Sequence, residues 1–140
     1  MRNPKFNNVL LIGVGLIGSS IARAIKKKNI AKKIFGLDPN KDVLKKCEDL
    51  NILSDANAEL KDFSIKFDLI IICSPLSTYK NIFLSLNDYI KQPVLVTDVG
   101  STKVSVIEDY NNNTKNNYIY FVPSHPIAGL EKSGPEYGFA

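Results

Sequence analysis

The sequence is short of the residues that build metal centres, disulfide frameworks and membrane spans. It holds one histidine, His125, and two cysteines, Cys47 and Cys73, in 140 residues. Two thiols so far apart, with no histidines beside them, fit neither a zinc site nor a disulfide scaffold, so two reduced thiols and no metal are expected. No apolar run approaches the roughly 20 residues that cross a bilayer. Residues 1–8, MRNPKFNN, are too short and too polar for a signal peptide. These absences point to the cytoplasm and to no membrane partner. Net charge is also modest, at +4 with a pI near 9.0. The clearest basic cluster, Lys26, Lys27 and Lys28 with Lys32 and Lys33 after it, falls where a helix should end, and cations there complement the helix dipole. With no aromatic interleaving and no nucleic-acid motif, no nucleic-acid partner is expected.

What is present is alternation. Residues 6–12 (FNNVLLI), 33–37 (KIFGL), 68–73 (DLIIIC), 93–97 and 118–122 (YIYFV) read as strands. Residues 16–28, 41–50, 75–89 and 102–110 carry helical periodicity between them. Residues 51–62 are ambiguous, with room for a short third strand and a loop. The asparagine-rich 111–117 reads as a polar surface loop with nothing to bury. The continuous β-branched run at 68–73 suits a parallel strand covered on both faces. The expectation is a single α/β domain, a doubly wound, mainly parallel sheet of the Rossmann-like dinucleotide-binding kind.

Gly13-Val14-Gly15-Leu16-Ile17-Gly18 is G-x-G-x-x-G between a predicted strand and a predicted helix, the setting that gives the pattern force. Gly13 permits the tight turn, Gly15 removes the Cβ that would block a diphosphate, and Gly18 lets the helix pack on the sheet. The first-turn amides, at Leu16 and Ile17, then face the diphosphate charge. Asp38 ends the second strand about 20 residues on, where a carboxylate accepts from both ribose hydroxyls. It would repel a 2′-phosphate, which favours NAD over NADP. Asp38 could also simply start the Asp38-Pro39-Asn40 turn. FAD shares the glycine pattern, but nothing else suggests a flavin.

Three later strand ends carry polar clusters: Cys73-Ser74-Pro75-Leu76, Asp98 to Lys103, and Ser124-His125-Pro126. Ser74 before Pro75, and Ser101, also suit helix N-caps. All three strands should end on the edge where the ligand of an open α/β sheet collects.

GVGLIGSSIARAI, FGLDPN, CSPLSTY, DVGSTK and SHPIAGLEKSG, in that order and spacing, resemble the N-terminal domain of the prephenate and arogenate dehydrogenase (TyrA) family. The resemblance implies an NAD-dependent oxidative decarboxylation of prephenate to 4-hydroxyphenylpyruvate, or of arogenate to tyrosine, in tyrosine biosynthesis. By resemblance His125 is the base for the ring hydroxyl, Ser101 orients substrate and nicotinamide, and Ser74, Pro75 and Leu76 line the cofactor. Residues 1–123 would form the NAD-binding domain, and 124–140 the histidine loop and the start of a helical dimerisation domain.

Three departures stand out. Ser19 occupies a position where the family commonly has glycine, and Leu130 one where many members have Ser or Thr. Glu131 is retained, either in an ionic network at the site mouth or as a solvated loop acid. Family members continue into a helical domain that forms the dimer and supplies an arginine for the substrate carboxylate. Arg2 and Arg23 are wrongly placed for that role, so a homodimer or a partner chain supplying the helical domain is expected. The alternatives are an NAD-binding module without independent activity and a β-hydroxyacid-type dehydrogenase, which would leave HPIAG unexplained.

Overall fold

A computed structural model describes residues 3–126 and 134–139. The chain runs β1 (Phe6–Ile12), α1 (Leu16–Lys27), β2 (Ala31–Leu37), α2 (Lys41–Asp49), β3 (Asp55–Asn57), β4 (Leu69–Ile72), α3 (Tyr79–Tyr89), β5 (Val94–Asp98), α4 (Lys103–Asn113) and β6 (Ile119–Val122). Every strand pairing is parallel, and the sheet order is β3-β2-β1-β4-β5-β6. The doubly wound expectation holds. The order reverses between β1 and β4, which opens a crevice at their carboxyl ends.

Strand alternation assigns the two cores. Leu10, Ile12, Ile70, Ile72, Val94 and Val96 face α3 and α4, where Tyr79, Phe83, Leu86 and Val106 complete a buried cluster. Val9, Leu11, Leu69 and Ile71 face the other way, onto Ala22 and Ile25 of α1. Each such aliphatic side chain contributes about 1.5–3 kcal/mol on burial, so the central strands anchor the whole crevice. Phe35, Phe63 and Phe67 meet edge to face with centroids 5.5 to 6.0 Å apart, closing the core beneath β2. No described helix is long and apolar enough to cross a membrane.

The helix ends explain themselves locally. Lys26 and Lys27 fill the last turn of α1, as their charge suggests, and Lys26 Nζ donates to the Asn51 carbonyl at 2.7 Å. Asn40 caps α2 through Asp42 N.

Three local expectations fail. Ser74 does not cap a helix: its hydroxyl pairs with Thr78 Oγ1 at 2.9 Å, and a 3-10 turn at Leu76–Thr78 precedes α3. Thr102, not Ser101, occupies the N-cap position of α4, and no side chain caps it. Residues 111–113 extend α4 rather than forming loop, because their amides have partners. Asn113 Nδ2 donates to Asp109 O, and the Asn113 carbonyl accepts from Asn87 Nδ2 of α3.

Residues 134–139 return to the sheet and pack on α1 and α2. Phe139 N donates to Ser20 Oγ at 3.1 Å, and Glu136 pairs with Lys46 at 2.9 Å. The 127–133 part of the HPIAG–EKSG motif, with Leu130 and Glu131, lies outside the described residues, as does Arg2.

Candidate active site

The crevice holds a groove of about 1140 Å³, lined among others by Gly13, Gly15, Asp38, Ser74 and Pro75. That is large for a small-molecule site, as an extended ligand requires. Its outer wall comes from Ala58 to Lys61 after β3, and its floor from Ile82 and Leu86 of α3. Motif reading did not single out these residues, because the mixed stretch Ala58-Glu59-Leu60-Lys61 and the apolar Ile82 and Leu86 match no binding motif.

The three motif glycines do different work. Gly13 has φ +88°, and a Cβ there would sit 2.8 Å from Ser74 N, so the turn and the β4 loop are pressed together. A Cβ on Gly18 would overlap the Gly13 carbonyl oxygen, backbone against backbone. At Gly15 a Cβ would meet nothing within 4 Å. The space that a Cβ would take at Gly15 is open, in a groove that Gly15 itself lines. No side chain caps α1, and its first turn carries no acid, so the amides of Leu16 and Ile17 stand available to an anion.

Asp38 makes the turn that the sequence suggested, and its side chain also ties the glycine turn. Oδ2 accepts from Val14 N at 3.0 Å, tying the glycine turn, and Oδ1 accepts from Asn40 N at 3.0 Å, making the turn before α2. It also lines the groove. Leu76 is placed differently from expectation. It packs against the α3 core and on Gly100, whose added Cβ would sit 2.8 Å from Leu76 Cδ2, and it lies outside the groove lining.

Cys73 lines the groove beside Ser74. Burial pushes its thiol up to about 12, with the Asp98 carboxylate adding to the effect. Cys47, on the buried face of α2, is likewise pushed up to about 11 by burial. Both are free thiols, and among the described residues no group of His, Cys, Asp and Glu could hold a metal ion.

The second cluster sits at the ends of β5 and β6. Thr97 pairs with Val122 across the ladder, so the loops that follow lie side by side. One carries exposed Ser101 and the other exposed His125, and His125 Nδ1 lies 3.5 Å from the Val99 carbonyl. Both residues stand on the neighbouring strand ends rather than in the groove lining itself.

Beneath them is a group that motif reading passed over. Asp98 is fully buried, yet its carboxylate takes four donors. Oδ2 accepts from Tyr79 OH at 3.1 Å, Gly100 N at 2.9 Å and Lys103 Nζ at 2.6 Å; Oδ1 accepts from Ser124 N at 3.0 Å. Lys103 Nζ also donates to the Ser124 carbonyl. The neighbouring carboxylate and the desolvated site together hold the Tyr79 phenol well above its usual range, burial being the larger cause. The available signal was an acid closing an apolar strand, five residues before a lysine.

The family described as prephenate dehydrogenase, nucleotide-binding domain, matches residues 21–140. The chain belongs to that family. A cyclohexadienyl dehydrogenase of Zymomonas mobilis is 36% identical over 135 residues, covering 96% of this chain and 45% of that protein. A prephenate dehydrogenase of Bacillus subtilis is 35% identical over 133 residues, 94% of this chain and 36% of that one. Among solved structures, prephenate dehydrogenase from Aquifex aeolicus in complex with hydroxyphenyl propionate and NAD+ superposes with a TM-score of 0.84 at 35% identity, over 95% of this chain and 46% of that one. The chain thus spans less than half the length of these relatives.

Proposed function

We propose that this chain is the NAD-binding and proton-abstracting half of a dehydrogenase that oxidatively decarboxylates prephenate, with His125 as base. The observation that carries the reading is the adjacency of two built features. A groove with a vacant Cβ position at Gly15 and a ribose-reading carboxylate at Asp38 adjoins strand ends that present the chain's single imidazole. The residues fit NAD: Gly13, Gly15 and Gly18 admit the diphosphate against the amides of Leu16 and Ile17, and Asp38 receives the ribose while disfavouring a 2′-phosphate. Ser74 and Pro75 border the same groove. Leu76 supports it from behind by packing on Gly100.

NAD+, when bound, supplies the hydride acceptor. His125, as a neutral imidazole, takes the proton of the ring hydroxyl at neutral pH. Ser101, exposed at the head of α4, orients the substrate toward it. Loss of that proton drives hydride departure from the same carbon, and carbon dioxide leaves as the ring becomes aromatic. Arogenate, which carries the same ring, is the alternative substrate. Binding of the substrate carboxylates requires a cation from the polypeptide that relatives carry beyond this region, on a second domain or a partner chain.

A second reading, a nucleotide-binding module without turnover of its own, is favoured by Ser101 and His125 standing outside the groove lining. NADH formation from NAD+ with prephenate and arogenate in parallel separates the two. His125→Asn should abolish turnover while NAD+ affinity, measured by calorimetry, stays within about twofold. An active His125→Asn variant would overturn the base assignment.

A further inference from the structure

We infer that Asp98 is a positioning residue for His125: its buried carboxylate locks two loops so that Nδ1 of the imidazole donates to the Val99 carbonyl and Nε2 is left as the free base. This rests on the reading of His125 as the base. An unpaired carboxylate at zero exposure costs several kcal/mol, so the four donors on Asp98 together hold the charge at the strand end. They come from separate parts of the chain, Tyr79 at the head of α3, Gly100 after β5, Lys103 in α4 and Ser124 after β6. Two of them flank the atoms that hold the imidazole. Gly100 N fixes the far side of the Val99 peptide, whose own N–H donates to Ile72 O at 3.1 Å. Ser124 N fixes the residue before His125, and Ser124 Oγ donates to the Asp98 carbonyl at 2.6 Å. Lys103 Nζ spans the same gap by donating to both Asp98 Oδ2 and the Ser124 carbonyl.

The carbonyl of Val99 can only accept. At 3.5 Å from Nδ1 it therefore selects the tautomer with the proton on Nδ1. A free histidine side chain prefers the opposite tautomer, with the proton on Nε2. In that form the outward nitrogen would have no lone pair for a substrate hydroxyl. The tautomer is thus set by the carbonyl, and the carbonyl is set by Asp98.

Asp98→Asn keeps the shape and loses one acceptor. With the amide oxygen serving the three donors on the Oδ2 side, the amide nitrogen is turned against Ser124 N–H, donor against donor. The residue next to His125 is then released. Lys103→Met releases the Ser124 carbonyl without replacing the buried carboxylate, and its side chain is 29% exposed, so the core is spared.

Because the sequence holds a single histidine, long-range 1H–15N correlation spectra of the uniformly labelled 140-residue chain read this one imidazole without assignment. Above its titration, the wild-type chain should show Nδ1–H as the major tautomer. Asp98→Asn and Lys103→Met should each shift the majority to Nε2–H. Should Asp98→Asn fail to fold, Lys103→Met carries the test. A wild-type imidazole with Nε2–H in the majority, or a folded variant that keeps the wild-type ratio, overturns the inference. The spectra are readable whether or not the chain turns over, so absence of dehydrogenase activity would sink the proposed function and leave the tautomer result standing. Where activity is present, kcat should fall on the order of tenfold or more in both variants, part of what a positioned base contributes, while NAD+ affinity is unchanged.

Discussion

Gly15 and Gly18 lie three residues apart in one motif, and alanine at the two positions should have opposite consequences. At Gly18 the new methyl overlaps the Gly13 carbonyl oxygen, so strand end and helix must separate by around an ångström. Overpacking of this kind costs about 1–3 kcal/mol, and backbone on both sides leaves little means of relief. For a chain of this size each kcal/mol moves Tm by about 3–5 °C, so Gly18→Ala should melt roughly 3–15 °C lower. At Gly15 the methyl enters open space, and φ is −77°, outside the left-handed region that favours glycine. Stability should change by less than about 1 kcal/mol. The same methyl stands where the diphosphate must approach the α1 amides. Losing one or two hydrogen bonds to a charged group, at about 1.5–3 kcal/mol each, weakens NAD+ binding by about 10- to 100-fold or more. Differential scanning fluorimetry and calorimetry on both variants give the crossed comparison. A Gly15→Ala chain that binds NAD+ like the wild type, or that melts as low as Gly18→Ala, would refute the reasoning.

Asp38→Asn leaves an acceptor for Val14 N but removes the charge, so NAD+ should bind more weakly and the preference over NADP+ should narrow; an unchanged preference in paired titrations would reduce Asp38 to a turn residue. Tyr79→Phe deletes the phenol from the Asp98 carboxylate without changing the packing of the ring on Phe83. A loss of about 1–2 kcal/mol in urea melts is expected, and a neutral result would mean that Asp98 does not need this donor. Cys47 and Cys73 stay protonated in the folded chain to about 11 and about 12, above the ordinary thiol value of 9.0, because burial disfavours both thiolates. The unfolded chain therefore releases these protons first, and this part of the stability is complete below pH ~9 and lost as pH rises from there toward 12. The double Cys→Ala variant should flatten the alkaline limb of a Tm–pH curve, and an unaltered limb would assign it elsewhere.

Where the chemistry required special backbone, the sequence was readable. Gly13 and Gly18 are glycines because of contacts that no Cβ survives, and Asp38 ends a strand in the one place where it ties the glycine turn, makes the next turn and lines the groove. The apolar runs gave the strand order's raw material for the same reason, since a strand buried on both faces has little choice of residue. Side-chain pairing across the chain was not readable. Residues 111–113 looked like loop because a count of apolar residues misses amide ties such as that between Asn87 and Asn113. Ser74 and Ser101 looked like caps because local rules do not see that Ser74 has Thr78 to pair with. Asp98 was placed in a strand-end polar cluster but given no role of its own for a related reason: its donors Tyr79 and Ser124 stand 19 and 26 residues away.

The way Asp98 is satisfied bears on how the chain assembles. Its donors are delivered by the heads of two helices and by the segment after the last strand, so the carboxylate can be fully enclosed only after β6 has docked on β5. An intermediate with β1, β4 and β5 paired but β6 still free would have Asp98 at a strand end without the Ser124 amide, and would keep that end hydrated. Closing the last edge of the sheet, drying Asp98 and setting the histidine loop are then one cooperative event. If β6 docks last, the loop that carries His125 is the last part of this edge to be set.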